Sequence, residues 1–170
     1  PQCMWPDHCV QGSKGAEYHP HLGKHRKFNF AKKDGTEDME TEKDHEYLKG
    51  QIRMVESYSG FGSEHEETGL TELLQKHQIT DTFIVGLAYD FCVGTTADSS
   101  AKALFNTLLV RNATRAVEAG QEKEHDKDTE LDKAGAIEVI FNYETFKSKE
   151  FPDPSKLKKD KTSWINLNKK

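Results

Sequence analysis

Cys92 ends the stretch GLAYDFC (86–92), and its neighbours decide what a thiol could do there. The run before it, DTFIVGLA (81–88), is short and continuously apolar, as in a strand covered on both faces. The run after it, FCVGTTADSSAKALF, reads as a helix. A cysteine at such a junction sits in the first helical turn, among N–H groups without intrahelical partners and near the positive end of the helix dipole. Those groups favour a thiolate and can hold an oxyanion, which is what attack on a carbonyl carbon needs. A buried structural cysteine suits the same junction, and position alone leaves both readings open.

A second group of chemistry-bearing residues crowds the N-terminal stretch PQCMWPDHCVQGSKGAEYHPHLGKH. His8, His19, His21 and His25 look by type like a metal cluster, and Cys3 and Cys9 lie among them. Cys3, His8 and Cys9 nevertheless lack the spaced pair-of-pairs of a structural zinc motif. Three cysteines in 170 residues do not make a disulfide framework, and a reducing compartment fits them better.

The elements that must position these groups follow from pattern. The N-terminal stretch has no periodicity and reads as a long ordered loop, while KFNFA (27–31) alternates like a short strand. Residues 31–48 form a charged insertion, and LKGQIRMVESYSGFG ends in turn chemistry at Gly60 and Gly62. LTELLQKHQI places Leu70, Leu73 and Leu74 at helical spacing, with Thr71 as its cap. TLLVRNA reads as a buried strand, EKEHDKDTELDKAG as a polar helix ending at Gly135, and AIEVIF as a third strand. Strand, helix, strand, helix, strand with short links implies an α/β fold: a Rossmann-like parallel sheet flanked by helices. Ligands bind such sheets beyond the carboxyl ends of the strands, where Cys92 lies.

The chain suits one domain, read as residues 1–145 followed by a lysine-rich tail, 146–170. Its hydrophobic fraction of 34% is thin, but the apolar residues concentrate between 79 and 117. Residues 31–51, 118–133 and 142–170 are mostly charged and read as lying outside the core. A net charge of −5 gives a nucleic-acid partner no overall support, and the basic tail reads as a solvated end. No apolar run approaches the roughly 20 residues that cross a bilayer. The first residue is proline, so a leader segment stays open.

Four segments, in order, resemble nicotinamidases of the isochorismatase-like cysteine hydrolase superfamily. GLAYDFCV is similar to the family's GLATDYCV, and WPDHCVQGSKGAEYHPHL (5–22) to WPDHCVQGTxGAEFHPDL. KGQIRMVESYSGF (49–61) resembles KGTNPxxDSYSxF, and NATRAV (112–117) resembles DATRAV. The resemblance implies an isochorismatase-like fold and hydrolysis of nicotinamide to nicotinate and ammonia through a cysteine thioester, in NAD salvage. It makes Cys92 the nucleophile and Lys49 the triad lysine, with Lys32 and Lys33 as competitors for that role. The N–H groups of Cys92 and Ala88 become the oxyanion hole, beside a cis Leu87–Ala88 peptide. Trp5 becomes a pocket residue that can stack on a pyridine ring. Tyr58 and Phe91 are further substrate-binding candidates. His8 becomes a ligand to a divalent metal, zinc by preference, while His19, His21 and His25 become structural or surface residues. Asp7 and Asp90 belong to the motifs, but neither stands at the family's base position.

The pattern also breaks. The family's catalytic aspartate lies on a strand before WPDHC, and a DxHxxxH stretch supplies its other metal ligands; these 170 residues contain no match to either. The expectation is therefore an incomplete, N-terminally truncated domain whose first strands are missing. The edge of the strand that leads to Cys92 should be uncovered, and the chain by itself should be inactive. The alternatives are a non-catalytic isochorismatase-fold interaction protein and another cysteine hydrolase of the superfamily. The expected partner is the small molecule nicotinamide, with homo-oligomers open, in the cytoplasm or nucleus.

Overall fold

The computed structural model describes residues 5–10, 12–23, 47–52 and 54–141. They fall in two compact units, 1–46 and 47–170, each considered by itself. The expected strand at 27–31, most of the 31–48 insertion and the 146–170 tail lie outside the described residues. In the first unit a 3-10 turn, Lys14–Ala16, precedes a one-turn helix α1, Pro20–Gly23. Proline opens α1, where its fixed φ and missing N–H cost nothing.

The second unit begins with α2, Leu70–Lys76. Its cap corrects the expectation at Thr71. Gly69, at φ 78°, occupies the N-cap, and Leu70 is already helical, so that Leu70 and Leu74 share a face. The hydroxyl that meets the first helical N–H belongs to Thr68, 3.4 Å from Leu70 N.

Three parallel strands follow: β1 Asp81–Leu87, β2 Asn106–Arg115 and β3 Ile137–Val139, in that order across the sheet. Helix α3, Gly94–Lys102, links β1 to β2, and α4, Glu122–Ala134, links β2 to β3. The expected α/β arrangement is present. Gly135 ends α4 at φ 84°, the left-handed C-terminal position for which glycine is suited.

Burial follows the sheet. On one face Leu109 packs with Tyr89, Val93, Ala97, Leu131 and Ala136; on the other Leu108 and Val110 meet Val139. Leu131 corrects the reading of 118–133 as wholly outside the core: it is the one buried side chain of an otherwise polar α4. Strand β1 corrects the expectation of two covered faces. Thr82 and Ile84 point inward, but Phe83, Val85 and Leu87 are 54%, 55% and 73% exposed. Among the described residues β1 pairs along one edge only, and separately its exposure alternates over Thr82–Val85 because one face alone is packed against the core.

Two polar assemblies tie helices to the sheet. Ser100 Oγ on α3, fully buried, lies 2.8 Å from both Thr82 Oγ1 and Thr107 Oγ1, which belong to paired residues on β1 and β2. Tyr89, also fully buried, has its hydroxyl against Asp128 of α4 and Glu138 of β3. One phenol proton serves one of these carboxylates at a time. Burial, then the two carboxylates, hold Tyr89 neutral well above the ordinary tyrosine range. The Arg111 guanidinium covers its ring at 3.9 Å and pairs with Glu124, adding a cation–π contact.

Ser100→Ala should cost about 1–2 kcal/mol in urea unfolding, because it strips two buried threonine hydroxyls of their common partner. Leu109→Ala should cost about 3 kcal/mol by the same measurement, the range for emptying a packed leucine site.

Candidate active site

Cys92 lies in a π-helical turn, Tyr89–Val93, that runs directly into α3. Such turns recur at functional positions. The strand delivers this turn through an irregular end. Ile84 pairs with Leu109 but Gly86 pairs with Thr114, so β2 bulges against β1 just before the handover. Gly86 takes φ 119°, a conformation that L side chains rarely adopt, and the Leu87–Ala88 peptide is cis. The Ala88 carbonyl then accepts from the N–H groups of Phe91 at 3.2 Å and Val93 at 2.9 Å, closing the turn.

The sulfur is half-buried rather than sealed in hydrocarbon. Lys49 reaches it across 43 residues of sequence: Nζ stands 3.4 Å from Cys92 Sγ. The same ammonium donates to the Ser57 carbonyl at 2.9 Å. A positive charge at this range favours negative charge on sulfur and on an oxygen developing beside it.

Three side chains outside the expected set build this arrangement. Thr96, one turn after Cys92, donates to the Cys92 carbonyl at 2.6 Å and accepts from Gly60 N–H at 2.9 Å. It thereby docks the SYSGF segment onto the start of α3. Threonine four residues after a helical carbonyl can back-bond to it, and the Cys92–Thr96 spacing was the available signal. Glu66, buried, accepts from Gly50 N–H at 2.8 Å and Gln51 N–H at 2.5 Å, the two amides after Lys49. Ser57 is the third: its carbonyl takes the Lys49 ammonium, and its buried hydroxyl faces the Glu66 carboxyl. That hydroxyl, then the Gln51 and Gly50 amides, with a smaller share from the Lys49 charge, hold the Glu66 carboxyl below the usual carboxylate range. No sequence spacing announces Glu66; Ser57 lies within the 49–61 segment that resembles the family, though no role was expected of it.

Among the other candidates, Tyr58 and Phe91 meet with ring centroids 5.8 Å apart. Lys123 Nζ approaches the Phe91 ring at 5.2 Å. Ala88 sits at the N-cap of the π-helical turn. Asp90 is buried, with its oxygens 2.9 Å from the N–H groups of Val117 and Glu118. It holds the loop after β2. Lys32 and Lys33, the competitors of Lys49, lie outside the described residues, as do Cys3 and His25.

Trp5 and His8 belong to the first unit, where their rings meet edge-on at 6.3 Å. His8 Nδ1 lies 2.7 Å from the Pro6 carbonyl, which accepts only from a protonated nitrogen. In the neutral ring that contact puts the proton on Nδ1 and leaves Nε2 as the atom able to ligate, as in metal-ligating histidines. The rest of a metal site does not fit: among the described residues no three His, Cys, Asp or Glu converge. His19 and His21 stack on each other at 5.3 Å. No described helix is long and apolar enough to cross a membrane.

No family model matches the chain. Individual relatives do. A nicotinamidase of Acinetobacter baylyi is 35% identical over 127 residues, covering 74% of this chain and 52% of its own length. The Escherichia coli nicotinamidase is 31% identical over 80% of this chain and 57% of its own. Among solved structures, PnC1 from L. infantum in complex with nicotinate superposes with a TM-score of 0.66 at 31% identity, covering 81% of this chain and 61% of its own. The pyrazinamidase of Pyrococcus horikoshii in complex with zinc superposes with a TM-score of 0.53 at 27% identity, covering 81% and 64%. This chain spans about half the length of the curated relatives it matches. Agreement in sequence along most of the chain, carried on the same parallel sheet and helices, assigns the protein to the nicotinamidases of the isochorismatase-like hydrolase family.

Proposed function

We propose that the protein to which these residues belong hydrolyses nicotinamide to nicotinate and ammonia, with Cys92 as nucleophile and Lys49 as its charged partner. One observation carries the proposal: an ammonium 3.4 Å from a half-buried sulfur at the end of a parallel strand. The nicotinate complex of the L. infantum relative supports a pyridine carboxyl compound as ligand. In this reading Sγ adds to the carboxamide carbon, and the carbonyl oxygen takes negative charge facing the N–H groups of Cys92 and Ala88. The C–N bond breaks, and the proton given up by the thiol ends on the departing nitrogen, which leaves as ammonia. Water then adds to the thioester carbon, the C–S bond breaks, and nicotinate and the thiol are released. Nicotinate would serve salvage of NAD.

Tyr58 and Phe91 are assigned to the pyridine ring, which aromatic faces can stack upon; Trp5, in the first unit, keeps only the role that the motif resemblance gives it. His8 would offer Nε2 to a divalent metal, zinc by analogy with the P. horikoshii complex. No step is assigned to a metal, because the described donors do not make a set. The family's aspartate base has no counterpart here, so the 170 residues alone are proposed not to complete the cycle. A non-catalytic role of the same fold is the competing reading, favoured by that incomplete donor set.

The two halves of the reaction separate these statements. Nicotinaldehyde, whose carbonyl can add the thiolate without a leaving group, should protect Cys92 from iodoacetamide, as read by peptide mass spectrometry. Unprotected Cys92 would overturn the nicotinamidase reading. Nicotinamide should yield no ammonia above background with the same chain, and steady turnover would overturn the inference of inactivity.

Lys49→Met should slow alkylation of Cys92 at neutral pH by about tenfold, the scale of losing an opposite charge beside a thiolate. Cys9, exposed and in the other unit, provides the internal reference rate.

A further inference from the structure

We infer that Glu66 is a positioning residue for Lys49: its carboxylate clamps the backbone just after the lysine and so aims the ammonium at Cys92. The inference rests on the reading of Lys49 and Cys92 given above and extends it to a residue outside the matched motifs.

The geometry is specific. Lys49 stands on a segment with no regular secondary structure over residues 47–51 to hold it. A lysine side chain has four rotatable bonds, and its own rotamers do not fix where Nζ lies. Something must therefore fix the backbone from which it extends. Glu66 does so with one oxygen on each of two consecutive amides, Oε2 on Gly50 N–H and Oε1 on Gln51 N–H. A carboxylate bridging two adjacent N–H groups makes two charge-assisted bonds and restrains both position and orientation.

The clamp is itself anchored. Ser63 and Glu66 form an isolated antiparallel bridge, with Ser63 N–H on the Glu66 carbonyl at 2.7 Å and Glu66 N–H on the Ser63 carbonyl at 3.3 Å. Gly62, at φ 95°, turns the chain so closely that a Cβ there would collide with the Glu66 carbonyl oxygen. On the other side Ser59 accepts from Gly62 N–H at 3.2 Å, and Thr68 and Thr96 bind the carbonyl and N–H of Gly60. Thr96 also holds the Cys92 carbonyl. A continuous path thus runs from Glu66 through the 59–63 turn and Thr96 to the turn that carries Cys92. Both ends of the Lys49–Cys92 contact are registered to one frame.

Lys49 faces both Cys92 and Glu66, and Ser57 offers its carbonyl to Lys49 and its hydroxyl side to Glu66. Asp90 is engaged by two amides, and Lys123 stands over Phe91. Because the Glu66 carboxyl is held below its ordinary range, the clamp stays charged at neutral pH and is lost only as acid protonates it.

Alkylation of Cys92 in the full chain at neutral pH tests this, because positioning and its rivals move the rate in opposite directions. Loss of aim by Lys49 should slow the reaction of Glu66→Gln about three- to tenfold, the scale of weakening an opposite charge beside a thiolate. Mere removal of a negative charge near Lys49 would instead leave the ammonium more effective and speed it. Unfolding would expose the sulfur and speed it too. The double variant Lys49→Met with Glu66→Gln should react no more slowly than Lys49→Met alone, since both act through one contact. Glu66→Asp, one methylene shorter, should also slow the reaction and reads the same point if the glutamine variant folds poorly. An unchanged or faster rate in both Glu66 variants, with Lys49→Met still slow, would overturn the clamp. A Lys49→Met variant as fast as the parent would instead remove the lysine's role and leave the clamp nothing to position.

Discussion

A lysine nitrogen 3.4 Å from a cysteine sulfur is the contact on which the second unit is organised. It joins a segment without regular structure to the start of a helix, across 43 residues. Ion–dipole and ion–ion contacts fall off with distance, and a flexible side chain offers no precision of its own. The surrounding bonds supply it: Glu66 to the amides after Lys49, Thr96 between Gly60 and Cys92, and Ala88 closing the π-helical turn. Each is a short polar bond in a partly buried setting, where an unmade bond is costly.

The sheet serves this contact by setting where the turn emerges. Leu109 at the centre of β2 gathers Tyr89, Val93 and Ala97 from the turn and α3, and Leu131 from α4. Tyr89 adds a polar tether, with its ring under Arg111 and its hydroxyl between Asp128 and Glu138. The tether holds the residue three before Cys92 against both α4 and β3. Apolar burial and a satisfied polar cluster thus fix the same turn from two sides.

Much of this was legible in order and type. The apolar runs of β1 and β2, Gly135 at the end of α4 and the alternation of strand and helix all follow from local pattern. Cys92 at the strand's end follows from the same pattern, and Lys49 follows from the resemblance of its segment. The failures were cases where a neighbour decided the outcome. Thr71 carries the right side chain for a cap, but the helix begins two residues earlier, with Gly69 at the cap and Leu70 on the leucine face. β1 is apolar enough for two covered faces, yet Phe83, Val85 and Leu87 are open because coverage depends on what packs alongside. A single leucine in a charged helix, Leu131, became core because α4 lies on the sheet with that side inward.

The amino-acid order by itself determined the α/β alternation, the end of α4 at Gly135 and the family, since these rest on side-chain period, turn chemistry and motif. Only tertiary structure decided that Glu66, Ser57 and Thr96 gather around Lys49 and Cys92. The reason is physical: Glu66 and Thr96 bind backbone amides and carbonyls and Ser57 offers its own carbonyl, every residue carries such groups, and nothing in a sequence marks which of them will come within 3 Å.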